Sequence, residues 1–131
     1  FVVEYRVMKS RDNLVRLKLF QVNEKRRQLA QLDMMIAEFD RKAAELEIQI
    51  GHEETKAGIT DQSHFAYPTF AKAARQRREN LMASQSDLKS QRDAAEAALA
   101  EAESELGKAE MLENRDVRSR EPASNRRAMI G

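Results

Sequence analysis

The two histidines, one of them followed by two glutamates, are the first place to look for a metal site or an acid–base pair in this sequence. His52 is followed directly by Glu53 and Glu54, and His64 lies 12 positions after His52. Two histidines without cysteine make a poor zinc set, and the chain has no cysteine. Carboxylates act as an acid–base pair only where their surroundings separate their pKa values. Solvated polar residues near a helix end are the better interpretation, so we predict no catalytic, cofactor or metal site.

The composition points away from an enzyme and towards long helices. Charged residues make up 34% of the 131 residues, and there are only four glycines and two prolines. The sequence contains no phosphate-cradling glycine loop and no nucleophile motif. A formal net charge of +1 gives no basic field for nucleic acid. No apolar stretch reaches the roughly 18 residues of a membrane span. We therefore expect no nucleic-acid partner, and membrane association only through partner proteins.

Apolar residues recur with the heptad spacing of a coiled coil in both halves of the chain. The first seam consists of Val22, Leu29, Leu32, Ile36, Phe39, Ala43, Leu46 and Ile50, and the second of Ala74, Leu81, Leu88, Ala95, Leu99, Ala102, Leu106 and Ala109. Helix-stopping and capping residues lie between the seams, from Gly58 to Pro68. The pattern predicts helices over about residues 10–57 and 68–119, joined by a turn over residues 58–67.

The distribution of charge indicates how these two helices pair. Residues 1–30 carry a net charge of +5, residues 31–58 carry −4, residues 59–92 carry +3 and residues 93–116 carry −6. An antiparallel hairpin sets opposite charges side by side, whereas a parallel dimer in register sets like charges together. We therefore predict an all-α protein, a long antiparallel two-helix coiled-coil hairpin that is monomeric.

Both ends of the chain lie outside this predicted hairpin, which we expect to be one domain over residues 8–119. Met8 looks like a natural translation start, so residues 1–7 are expected to be an unstructured extension of upstream or vector origin. Pro122 and the polar residues after it predict a flexible tail over residues 120–131.

Three further features exceed what a coiled coil requires. The first is a basic opening in which Arg11, Arg16, Lys18, Lys25, Arg26 and Arg27 surround Leu14, Leu17 and Phe20. These cations either pair with the acidic second helix or project outward. One stripe cannot hold every apolar residue of this opening, so some should face a partner or solvent.

The other two features lie at the turn and just after it. Phe65, Tyr67 and Phe70 are three of only seven aromatic residues. They either close the tip of the hairpin or leave an exposed docking anchor. The basic run that follows consists of Lys72, Arg75, Arg77 and Arg78. We expect it to pair with acidic residues of positions 38–54.

Two segments of the chain resemble a known family. Residues Met8–Arg27 are similar to the opening of the FliJ family of bacterial flagellar export proteins, and His64–Arg78 resembles the turn and second-helix start of one subgroup. The likeness extends from Met8 to about Asp116. It implies a non-enzymatic, cytoplasmic component of the flagellar type III export apparatus at the base of the flagellum, similar to the central stalk of rotary ATPases. An injectisome-type secretion stalk and a homodimeric coiled-coil scaffold are the alternatives.

The resemblance also implies two contacts, which we place on this chain by position. The export ATPase hexamer would contact Arg11, Leu14, Arg16, Leu17, Lys18 and Phe20, with Met111–Arg118 opposite. The cytosolic part of the export gate would contact Tyr67, Phe70 and Ala74. Some members of the family also handle export chaperones, and none of these contacts requires a cofactor. The short tail after Pro122 departs from the longer C-terminus usual in the family.

Overall fold

The computed structural model describes residues 2–119, which form two α-helices packed against each other as an antiparallel hairpin. Helix α1 spans Val2–Ala57 and helix α2 spans Thr69–Ser119. The described residues contain no β-strand. The predicted all-α hairpin is therefore confirmed, while the tail predicted over residues 120–131 lies outside the described residues.

The start of α1 corrects one prediction. We expected residues 1–7 to be unstructured and the first helix to begin near residue 10, but residues 2–7 already belong to α1. Extending an existing helix adds one hydrogen bond for each residue that is fixed, so a short segment without proline or glycine can continue it. Glu4 in the first turn also interacts favourably with the positive end of the helix dipole.

The end of α1 is set by Gly58, which adopts the left-handed conformation with φ of 69°. Its N–H donates to the carbonyls of Glu54 at 2.9 Å and Thr55 at 3.3 Å, and the N–H of Ile59 donates to Glu54 at 3.3 Å. This is the Schellman pattern, in which glycine satisfies the last helix carbonyls at little steric cost. The chain then turns, and α2 begins one residue after the predicted start at Pro68.

The hairpin divides into two compact units. The terminal unit combines residues 2–28 with residues 95–119, and the turn unit comprises Leu29–Ala94. Every residue of the two predicted seams is buried or half-buried. The most buried side chains are Val22, Ala102 and Ala109 in the terminal unit, and Ile50, Tyr67, Ala71, Ala74 and Leu88 in the turn unit. The heptad pattern therefore predicted the packed face of both helices correctly.

Candidate interaction surfaces

Ion pairs connect the helices of the terminal unit, among them those of Arg11 with Asp116, Lys18 with Glu105, and Arg26 with Glu103. The cation is on α1 in each pair, as the charge blocks predicted. Lys18 Nζ lies 2.8 Å from Glu105 Oε2, and its hydrogen bond lowers the pKa of Glu105. Exposed pairs add little stability, but opposite charges specify which surfaces meet. Two of the ATPase-contact candidates, Arg11 and Lys18, thus pair with α2 inside the unit.

The remaining ATPase-contact candidates differ in their exposure. Leu14 is half-buried, while Leu17 and Phe20 are 51% and 58% exposed. Arg16 is exposed, and its one ion pair within residues 2–119 is with Asp12 of its own helix, at 3.3 Å. Because Phe20 lies three positions after Leu17 and four after Arg16, both of these residues are its neighbours on the surface of α1. We call these three residues the opening face.

A groove of about 530 Å³ borders the opening face. Its lining consists of Phe20, Gln21, Glu24 and Lys25 from α1, and of Ala98, Glu101, Ala102 and Glu105 from α2. The two alanines leave the groove open because they have almost no side chain to fill it. On α2, in the segment predicted to lie opposite, Met111 and Val117 are 66% and 53% exposed. The terminal unit therefore presents apolar surface on both helices.

In the turn unit, Tyr67 joins Glu54 and Arg75 in a hydrogen-bonded cluster. The Tyr67 hydroxyl donates to Glu54 Oε1 at 3.0 Å and accepts from Arg75 Nε at 2.8 Å. Arg75 Nη2 donates to the same carboxylate oxygen. This bond from Arg75 is the main cause of the lowered pKa of Glu54, and the bond to the Tyr67 hydroxyl is the main cause of the raised pKa of Arg75.

The cluster corrects our interpretation of Glu54. The sequence suggested a solvated residue beside His52 and Glu53, but only 12% of the Glu54 side chain is exposed. Glu54 lies in the last turn of α1, where Arg75 of α2 reaches it. The sequence does contain a signal for this arrangement. Glu54 lies four residues before the helix-stopping Gly58, Tyr67 lies just before α2, and Arg75 lies on α2.

The three export-gate candidates fall in different places. Tyr67 is 8% exposed and Ala74 is 3% exposed, so both lie in the core of the turn unit. Phe70 is 53% exposed and Phe65, which we did not include among the gate candidates, is 97% exposed. Of the aromatic cluster, only Tyr67 closes the turn, and Phe65 and Phe70 are the exposed remainder.

Two of the four cations in the basic run after the turn form ion pairs with described residues. Arg75 pairs with Glu54, and Arg78 Nη1 lies 3.7 Å from Glu47 Oε1. Both acids belong to the segment that we expected to pair with this run. Lys72 and Arg77 make no ion pair with any residue between positions 2 and 119. Arg77 lines a groove of about 400 Å³ with Leu46 and Leu81.

Neither a metal cluster nor a membrane span is found within the described part of the chain. No group of three or more histidine, cysteine, aspartate or glutamate side chains among residues 2–119 is arranged to hold a metal ion. No helix over the same range is both long and apolar enough to cross a membrane. His64 has a local role instead, since its Nδ1 accepts a hydrogen bond from the Ala66 N–H at 3.0 Å.

Comparisons with known proteins found no matching family model, no similar curated protein and no similar solved structure. The resemblance to the FliJ family therefore depends on the residues of Met8–Arg27 and His64–Arg78.

Proposed function

We propose that this chain is a non-enzymatic, stalk-like component of the flagellar type III export apparatus, which acts in the cytoplasm at the base of the flagellum. It binds the export ATPase ring through the terminal unit and the cytosolic part of the export gate through the turn unit. The observation that carries this proposal is the opening face. Leu17 and Phe20 stay more than half exposed although the seam of their helix is already covered. Apolar surface of this kind is typical of a protein interface.

The opening face supplies the chemistry that an ATPase contact needs. Phe20 is a large aromatic anchor, and Arg16 supplies a cation whose side chain is 77% exposed; aromatic residues and arginine dominate binding energy at interfaces. A hairpin bound inside a ring touches some subunits differently from others. If its affinity differs between nucleotide states, binding shifts the populations of those states and couples hydrolysis to its orientation.

The turn unit supplies further exposed apolar side chains, Phe65 and Phe70, which are followed in sequence by the exposed cations Lys72 and Arg77. Two separate apolar surfaces suit an adaptor that contacts two partners. Export chaperones are a third class of partner, implied by the sequence resemblance. In this mechanism the chain itself carries out no chemistry.

Purified protein and the export ATPase from the same genome provide the first test. We expect the wild-type chain to accelerate ATP hydrolysis and to promote hexamer formation, most strongly at low salt, where charge attraction is least screened. Phe20→Ala should weaken both effects. Met82→Ala is the matched control, because it removes an apolar side chain of similar exposure, 55%, from the turn unit. Absence of binding at low salt would count against the proposal.

The two alternatives are tested separately. Light scattering measures the mass of the particle in solution, and the proposal expects the 15.0 kDa of one chain. About twice that mass would favour the homodimeric scaffold with two-fold symmetry. Stimulation of an injectisome ATPase, without stimulation of the flagellar one, would favour the injectisome-type stalk.

A further inference from the structure

Phe65 is almost completely exposed, although it belongs to a turn that is held by hydrogen bonds. Its exposed fraction is 97%, the highest of any large apolar residue in the described part of the chain. The His64 ring stacks on it, with centroids 4.8 Å apart and an angle of 23° between the planes. Leaving a phenyl ring in water forgoes the free energy of its burial. An exposed ring on a well-organised turn is therefore the arrangement expected of a binding anchor.

Hydrogen bonds order the backbone of the turn both before and after Phe65 in sequence. Asp61 Oδ1 accepts hydrogen bonds from the N–H and the hydroxyl of Ser63, at 3.0 and 2.7 Å, and these bonds lower the pKa of Asp61. The Ala66 N–H donates to His64 Nδ1, and the Tyr67 N–H donates to the His64 carbonyl at 3.0 Å. The buried Tyr67 then fastens the turn to Glu54. Because the backbone is already ordered, binding through Phe65 costs little additional entropy.

The charges around the turn indicate what kind of surface it fits. Lys56 and Lys72 lie on the two sides of the turn in sequence, both are exposed, and neither makes an ion pair with a residue of positions 2–119. The one acidic residue between them, Asp61, is occupied by Ser63. An exposed phenyl ring on a turn that carries an exposed cation on each side in sequence is complementary to an apolar pocket with carboxylates at its edge.

We propose that Phe65 is the anchor of a protein interface, inserting into an apolar pocket that is edged by acidic side chains. His64 is a positioning residue that orients Phe65 through its ring and its Nδ1. This inference deepens the proposed function, in which the partner that meets the turn unit is the cytosolic part of the export gate. Phe65 is a residue that the sequence resemblance did not assign to that contact.

A membrane surface is a less suitable partner for Phe65 than a protein pocket is. Even a whole myristoyl chain binds a membrane only marginally and reversibly. One exposed phenyl ring, a half-exposed Phe70 and two lysines present less apolar surface than such a chain. The same ring in a preformed pocket is covered on all sides and contributes most of its burial free energy.

The test measures binding of the full-length chain to the purified cytosolic part of the export gate. Since the chain has no cysteine, Ser104→Cys introduces a single attachment point for a fluorescent label on an exposed position of the terminal unit. Phe65→Ala should raise the Kd about ten- to hundredfold, with unchanged helix content and melting temperature. Ile48→Ala is the matched control. This side chain is 60% exposed in the same unit, and its removal should leave the Kd within about twofold.

Two variants of His64 separate positioning from contact. His64→Ala removes both the ring and the hydrogen-bond acceptor and should raise the Kd about two- to tenfold. His64→Asn restores an acceptor near the Ala66 N–H and should recover part of the affinity. A residue that merely stabilised the fold would change the melting temperature instead, so both variants are also followed by thermal unfolding.

The other possible results distinguish a failure of this inference from a failure of the proposed function. If the wild type and Phe65→Ala bind the gate equally, the inference is overturned while the proposed function stands. If the chain stimulates the ATPase but does not bind the gate, the inference is overturned and only the ATPase half of the function survives. If the chain neither stimulates the ATPase nor binds the gate, the proposed function itself is overturned. Phe65-dependent binding to phosphatidylcholine–phosphatidylserine vesicles, or Phe65-dependent self-association, would also overturn the inference in favour of those occupants.

Discussion

Phe20 and Val22 are two positions apart on α1, and replacing each with alanine should affect different properties of the protein. Val22 is 0% exposed and Phe20 is 58% exposed. Val22→Ala should therefore lower stability and leave partner binding intact. Phe20→Ala should leave stability nearly intact and weaken partner binding. The comparison is well matched, because both variants act on the same turn of the same helix in the terminal unit.

The size of each effect follows from burial. Val22→Ala removes two buried carbons, each contributing about 0.8 kcal/mol, and the cavity left behind brings the total to about 2 kcal/mol. For a chain of this length that shifts the melting temperature by about 8 °C. Because less than half of Phe20 is covered, Phe20→Ala loses about 1 kcal/mol of burial, and the higher helix propensity of alanine returns about 0.5 kcal/mol.

Circular dichroism during heating measures both stabilities, and fluorescence anisotropy measures the affinity of each variant for the export ATPase. The expected result is a large loss of melting temperature only in Val22→Ala and a large loss of affinity only in Phe20→Ala. If Phe20→Ala were the less stable of the two, Phe20 would be a core residue and the opening face would not be a binding surface. Equal affinities would refute the role of Phe20 in binding.

Three further predictions concern the contacts between the helices. Lys18→Glu should lower the melting temperature, and adding Glu105→Lys should restore most of it, because the antiparallel register places these two side chains together; a double-mutant cycle tests this. Tyr67→Phe keeps the buried ring but removes the hydroxyl that Arg75 bonds, and should cost about 1–2 kcal/mol in urea unfolding. Because Arg75 lowers the pKa of Glu54, the folded state binds fewer protons than the unfolded state near the ordinary pKa of 4.5. Stability should therefore fall as the pH drops below that value, and Glu54→Gln should flatten this dependence.

Much of the fold could be predicted because its determinants repeat along the chain. The seam around Leu32 and Ile36 follows from heptad spacing alone, since a helix places such residues on one face. The ion pairs Arg92–Asp33 in the turn unit and Lys18–Glu105 in the terminal unit follow from the charge blocks. The start of α1 could not be predicted in the same way. Residues 2–7 carry no heptad signal, and their helicity continues from the segment after them.

The exposed surfaces were predicted less well. The sequence identified an aromatic cluster at the turn, but Phe65, Tyr67 and Phe70 are chemically similar and close together. Nothing in their order specifies which ring is buried. The same holds for the basic opening, where Lys18 pairs with a residue of α2 while Arg16 pairs with Asp12 of its own helix. The charge blocks predict that pairing occurs, and not which member of a block takes part.

The sequence by itself determined two helices, their antiparallel pairing and the residues of the seam. These properties arise from the period of the apolar residues and from the signs of the charge blocks, and both can be evaluated directly along the sequence. Only the tertiary structure decided that Tyr67 is buried with Glu54 and Arg75 while Phe65 stays exposed. That choice depends on the direction in which the chain leaves Gly58 and enters α2. The direction is set by hydrogen bonds within the turn, which have no periodicity that a sequence could display.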